Sequence, residues 1–201
     1  LGHAEYLLRH PAYAGLRERP DAIHMYCPLN PAVMPLLHRW IAEYLELFGP
    51  IRDFHIGADE ARELGACPAC KAFAAEHSTS RLFIDHINAV AAPLLQKGIR
   101  PLIWADMIIR HPEALERLNR QIALVDWLYD RYAACGTAQF FSGGAKTRDT
   151  IPEPLLARFR PYLFPQGEEP GRALDPFYSG AFLADAGFTV ITAPGSSSSG
   201  D

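Results

Sequence analysis

The chain has no apolar run approaching the ~18 residues that would span a bilayer, no basic stripe interleaved with aromatics, and only four cysteines among its 201 residues. Each absence excludes a class of function. Without the apolar run there is no membrane partner to read. With 19 Lys and Arg against 23 Asp and Glu, the formal charge is −4, the wrong sign for a nucleic-acid partner. Cys27, Cys67, Cys70 and Cys135 are too few and too scattered for a disulfide framework, and they lean towards a reducing, cytoplasmic compartment. The opening residues lack a basic stretch followed by an apolar core, so no signal peptide is expected. No internal repeat of fixed period is present. What is there is the balance of an ordinary globular protein, 49% hydrophobic and 21% charged.

Strand and helix patterns alternate along the sequence. Asn30 and Pro31 predict an N-cap and first helical position, after which Met34, Leu37, Ile41, Leu45 and Phe48 recur at helical spacing until Gly49 and Pro50 stop them. Trp40 belongs to this helix and its apolar stripe explains it. Residues 51–56 read as a short strand, and Phe83, Ile87, Val90 and Leu94 as the apolar face of a second helix ended by Gly98. Residues 99–105 have the character of a buried strand. A short helix opening near Pro112 and Glu113 leads to a strand at 122–127. The stretch 131–174, rich in Gly and Pro, reads as a long excursion with a weak helical signal at 155–159. A last helix at about 175–186 ends at Gly187, a strand follows at 188–192, and the serine-rich tract 195–201 is expected to be a flexible terminus. Such alternation implies parallel strands and an α/β fold.

The chemically useful residues fall just past the predicted strand ends, where β/α barrels carry their active sites. After the strand at 51–56 come Gly57, Ala58 and two adjacent carboxylates, Asp59 and Glu60. Neighbours on a regular strand point to opposite faces, so the two acids can share a pocket only if the strand kinks, which Gly57 permits. The next strand ends in Trp104-Ala105-Asp106, and the third in Trp127, followed by Tyr129 and Asp130. Alone, adjacent acids usually mark a solvated turn, and a single Trp ordinary core.

The segment Phe54-His55-Ile56-Gly57-Ala58-Asp59-Glu60 resembles the His-x-Gly-Gly-Asp-Glu signature of the family 20 glycoside hydrolases, the β-N-acetylhexosaminidases, with Ala58 replacing the second glycine. That alanine, followed by Leu64-Gly65 and Cys67-Pro68-Ala69-Cys70, is most similar to the hexosaminidase D-like branch of the family. Gly2-His3-Ala4-Glu5-Tyr6, Trp104-Ala105-Asp106-Met107 and Trp127-Leu128-Tyr129 match in the same order. The resemblance implies a (β/α)8 TIM-type barrel that is incomplete here, with about strands four to seven present, so residues 1–201 form a single partial catalytic domain. It implies exo-hydrolysis of terminal N-acetylglucosamine or N-acetylgalactosamine from glycans or glycosides, a small-molecule substrate and no cofactor.

Catalysis in this family is substrate-assisted, the sugar's own 2-acetamido oxygen attacking the anomeric carbon. The resemblance makes Glu60 the acid that protonates the leaving oxygen and later activates water, and makes Asp59 the acceptor that orients the acetamido N–H. One acid must start protonated and the other ionised, which mutual repulsion between neighbouring carboxyls favours. Trp104 and Trp127 would wall the acetamido pocket, and Tyr129 would hydrogen-bond the acetamido carbonyl. Asp106 and Glu5 either bind sugar hydroxyls or are solvated loop acids. His3 lines the pocket or caps a turn, and His55 is expected to be a buried hydrogen-bonding support for the carboxylates. Two other readings stay open: a carbohydrate-binding remnant that keeps the pocket without turnover, and a glycosidase for a non-acetylated sugar.

Cys67-x-x-Cys70 has the spacing of half a zinc site, which Cys27 and a histidine would complete, or of a redox motif. With only one such pair, buried free thiols or a local structural contact are expected rather than a metal, and the absence of a βαβ unit opening at the pair disfavours a thioredoxin-like role.

Overall fold

Apolar residues three and four apart, with a glycine to stop them, build the scaffold of the first half of the chain. The computed structural model describes residues 1–127, 138–139, 145–165, 167, 174, 177 and 179–193. They fall into two compact units, 1–123 and 124–201.

The first unit opens with a short helix α1 (Glu5–Leu8) and a 3-10 turn (Pro11–Leu16). Helix α2 (Val33–Phe48) follows, two residues later than the sequence predicts. Asn30 Oδ1 accepts the N–H of Ala32 at 3.0 Å, so Asn30 caps the turn that leads in rather than the helix itself. Gly49, at φ 73°, ends α2 as a left-handed residue that only glycine adopts without cost. Met34, Leu37, Ile41 and Leu45 pack on Val90 and Leu94, while Phe48, placed on the same stripe by its spacing, is exposed.

Strand β1 (Asp53–His55) leads through α3 (Pro68–Glu76) and α4 (Thr79–Gln96) to β2 (Arg100–Trp104), which lies parallel to β1 with Phe54 opposite Pro101 and His55 opposite Leu102. The ladder runs one step past β1, Ile56 N–H donating to Leu102 at 2.9 Å and Trp104 N–H to Gly57 at 3.0 Å. Helix α4 is capped by Ser78, whose Oγ accepts the N–H of Arg81 at 2.9 Å, and it buries Phe83, Ile87, Val90 and Leu94. A helix absent from the sequence reading, α5 (Asp106–Arg110), follows β2 directly, before a 3-10 turn (Pro112–Arg117) at the predicted short helix.

The second unit holds most of β3 (Ala123–Asp126), a short antiparallel hairpin of β4 (Ala138–Gln139) and β5 (Ala145–Lys146), helices α6 (Glu153–Leu163) and α7 (Ser179–Asp185), and β6 (Val190–Thr192). Strands β3 and β6 are parallel, with Val125 opposite Ile191. Phe159 packs on Phe177 and Phe182 at ring distances of 4.8 Å. Ser179 Oγ donates to the buried carboxylate of Asp126 at 2.8 Å. The weak helical signal at 155–159 is the middle of the three-turn α6. Tyr129, Asp130, Cys135 and the 195–201 tract lie outside the described residues.

Candidate active site

The turn after β1 explains how two adjacent acids come to face one space. Gly57 and Ala58 stand at φ 75° and 82°, and Glu60 at 44°, so the alternation of the strand is broken on both sides of Asp59. His3, Ala58 and Glu60 are the left-handed non-glycine residues among the described part of the chain, and all three belong to this turn or touch it. Each such conformation costs on the order of 1–3 kcal/mol and persists only where surroundings hold it.

The hold is visible. Buried Asp106, 3% exposed at the start of α5, accepts the backbone N–H of Glu60 through Oδ2 at 2.9 Å. The carbonyl of Glu60 faces Nε2 of His24 at 3.2 Å and accepts the N–H of Arg62 at 2.6 Å. Gly2 lies directly against the turn: a Cβ there would overlap the carbonyl oxygen of Asp59 and stand 3.1 Å from the carbonyl of Glu60.

The side chains converge. Nε2 of His3 is 3.3 Å from Oδ2 of Asp59 and 3.3 Å from Oε2 of Glu60, and the two carboxylates remain 22% and 24% exposed, open to a ligand. The other oxygen of Glu60 pairs with Arg62 at 2.6 Å. Behind them, Nδ1 of His24 meets Oε1 of Glu5 at 2.6 Å, and His24 stands edge-on to His3 with ring centres 5.0 Å apart. Burial lowers the pKa of His24, but the Glu5 carboxylate and the Glu60 carbonyl outweigh it and leave the value raised. The same hydrogen bond to His24 lowers that of Glu5.

Of the residues singled out in the sequence, Asp59, Glu60, His3, Glu5 and Asp106 thus form one connected group. Trp104 is half-buried at the end of β2, its ring 4.5 Å from that of His55. One expectation is corrected, and one of two open readings is closed. His55 is exposed, and its Nδ1 accepts the N–H of Gly57 at 3.0 Å, because the last position of β1 points it at the turn backbone rather than at the carboxylates. Asp106 is no solvated loop acid: α5, missed in the sequence, turns it inward. Trp127 lies in the second unit, half-buried one residue past β3. His24 and Arg62 were not foreseen. An apolar groove of about 890 Å³ lies between Tyr6, Tyr13, Trp40, Tyr44 and Leu47, and neither carboxylate lines it.

Residues 14–141 match the catalytic domain of glycosyl hydrolase family 20, a span that includes the acid pair and both strand ends with tryptophan. The chain belongs to glycosyl hydrolase family 20. It is 30% identical over 167 residues to hexosaminidase D of Homo sapiens, covering 72% of this chain and 34% of that protein. To hexosaminidase D of Bos taurus it is 31% identical over 116 residues, covering 56% and 34%. The chain therefore spans about a third of the length of the curated relatives it matches.

Among solved structures, dispersin B superposes with a TM-score of 0.54 at 21% identity over 91% of this chain and 40% of its own. The chitobiase of Flavobacterium johnsoniae does so at 0.54 and 18% over 96% and 24%. These likenesses show the fold, an α/β chain of (β/α)8 TIM-barrel type, incomplete, with strands β1, β2, β3 and β6 standing for about the fourth to seventh of the barrel. The acid pair follows the C-terminal end of β1, as such barrels place their chemistry. Among the described residues no helix is long and apolar enough to cross a membrane.

Proposed function

We propose that this chain is the catalytic core portion of an exo-β-N-acetylhexosaminidase acting by substrate-assisted, retaining hydrolysis on N-acetylhexosaminide glycans or glycosides. The observation that carries the reading is the convergence of the Asp59 and Glu60 carboxylates, adjacent in sequence, on one partly exposed space beside His3. In this reading Glu60 protonates the departing glycosidic oxygen and then takes a proton from the attacking water. Asp59 accepts the acetamido N–H, turns the acetamido oxygen towards the anomeric carbon, and stabilises the positive charge that develops on the closing ring. Trp104 offers an apolar face, and Trp127 and Tyr129 keep the substrate-binding role that their motif implies. Asp106 is a positioning residue, acting through the backbone of Glu60, and Glu5 acts through His24.

Because the nucleophile sits on the sugar, removing the 2-acetamido group removes the reaction. Turnover of aryl N-acetyl-β-glucosaminide and aryl β-glucoside by the protein that carries this chain tests the proposal. The first is expected to be cleaved far faster, and a thiazoline resembling the cyclised intermediate is expected to inhibit, since mimics of late states bind at least ~10²-fold more tightly than substrates. Efficient cleavage of the glucoside, or indifference to the thiazoline, would sink the assignment. Thiazoline binding without turnover would leave a carbohydrate-binding remnant.

A further inference from the structure

Away from the acid pair, three sulfurs and a carboxylate from distant points of the chain meet in one buried spot. Cys27 Sγ is 3.6 Å from Cys67 Sγ and 3.6 Å from Cys70 Sγ, and Cys70 Sγ is 3.4 Å from Oε2 of Glu18. One ligand atom from each of the four lies within 4.8 Å of the others. A tetrahedral zinc ion with Zn–S of ~2.3 Å and Zn–O of ~2.0 Å sets its sulfurs ~3.8 Å apart and sulfur from oxygen by ~3.5 Å. The observed spacings match that template, and none approaches the ~2.05 Å of a disulfide.

The surroundings point the same way. Glu18 is 1% exposed, and among the described residues no cation pairs with it; its contacts are the N–H of Cys67 at 3.0 Å and the thiol of Cys70. A carboxylate so buried is costly without a counter-charge. Cys67 sits at the N-cap of α3, where its sulfur accepts the N–H of Cys70 at 3.3 Å, the kind of outer hydrogen bond that steadies a metal-bound thiolate. Leu64, Phe73 and Leu82 pack around the sulfurs. A redox pair would need an accessible sulfur, whereas Cys27 and Cys70 are 7% and 0% exposed.

We propose that Glu18, Cys27, Cys67 and Cys70 form a four-coordinate structural zinc site. The fourth ligand is the carboxylate of Glu18, not the histidine that the cysteine spacing alone suggested. Four protein ligands leave no open position for a water or substrate, so the ion is not catalytic. On binding, each thiol gives up its proton to solvent as its sulfur takes the metal. The ion clasps the 18–27 segment, which carries His24, to Cys67, seven residues beyond Glu60, and so fixes both ends of the segments that shape the acid turn.

The test uses the untagged full chain, expressed with zinc in the medium and freed of loosely held metal by gel filtration. About one zinc per chain is expected by plasma mass spectrometry, and zinc is expected to raise the unfolding midpoint over that of the chelated protein. Cobalt(II) exchanged for zinc is expected to give thiolate-to-metal charge transfer in the near ultraviolet and the intense visible bands of tetrahedral cobalt. Cys27→Ser and Cys67→Ser are expected to lose metal and colour, whereas Cys135→Ser keeps both. If the variants fail to fold, the wild-type cobalt spectrum still decides. A chain that purifies without stoichiometric metal and stays colourless with cobalt, or whose unreduced mass shows Cys27 in a disulfide, overturns the proposal.

Discussion

Oδ2 of Asp106 accepts a 2.9 Å hydrogen bond from the backbone N–H of Glu60, so a buried carboxylate on α5 fixes the left-handed residue that carries the proposed acid. Asp106→Ala leaves that N–H without its partner, which costs about 1–3 kcal/mol where water cannot replace it. A displacement near 1 Å of the acid is worth roughly 10² in rate. The expected result is a fall in kcat of that order with KM changed little, and partial recovery in Asp106→Asn, whose amide oxygen still accepts. Equal loss in both variants, or an effect confined to KM, would remove the positioning role.

Glu60→Gln separates the acid from the rest of the pocket. A leaving group such as a simple alcohol needs protonation, and its hydrolysis should drop by roughly 10²–10⁴. An activated aryl leaving group departs without help, so its first step should be affected far less. Matched losses for the two substrates would mean that another residue supplies the proton.

His24 predicts a pH dependence of stability. Both of its ring nitrogens face oxygens, Glu5 Oε1 at 2.6 Å and the Glu60 carbonyl at 3.2 Å, and only the doubly protonated ring donates to both. Folding therefore raises its pKa above the ordinary 6.5. Its contribution is fully present below 6.5 and is lost as pH rises through the folded value. Glu5, lowered from 4.5, contributes above 4.5 and loses its share as pH falls through its depressed value. The difference in unfolding midpoint between wild type and His24→Asn should be largest between about 4.5 and 6.5, and should shrink towards pH 8. A difference that stays constant from pH 5 to pH 8.5 would show that folding leaves the pKa of the ring unshifted.

The parts legible in the sequence were those with a local signature. Helices α2 and α4 announced themselves by apolar spacing and a terminal glycine, and the acid pair by its place after a strand. Helix α5 was missed because Asp106, Met107, Ile108 and Ile109 are all buried, which leaves no polar face to set a period. Helix α3 is hidden because the Cys67-x-x-Cys70 pair points to thiol chemistry, whereas Cys67 and Pro68 also start the helix as its N-cap and first turn. His24 reaches Glu60 across 36 positions of sequence. Glu18 stands between Arg17 and Arg19 like any surface charge, and only the antiparallel approach of Arg17 to Tyr26 turns it inward beside Cys67.

Gly2 has a bearing on how this chain can change. Because a methyl group there would overlap the carbonyl of Asp59, and His3 next to it reaches both carboxylates, the opening residues and the acid turn are two halves of one mould. Neither can be swapped alone. A chimaera with a relative whose crossover falls between positions 2 and 59 must inherit a compatible residue on each side, and any drift in the shape of the acid turn limits what position 2 accepts. In a set of relatives, the two segments are expected to change together or not at all.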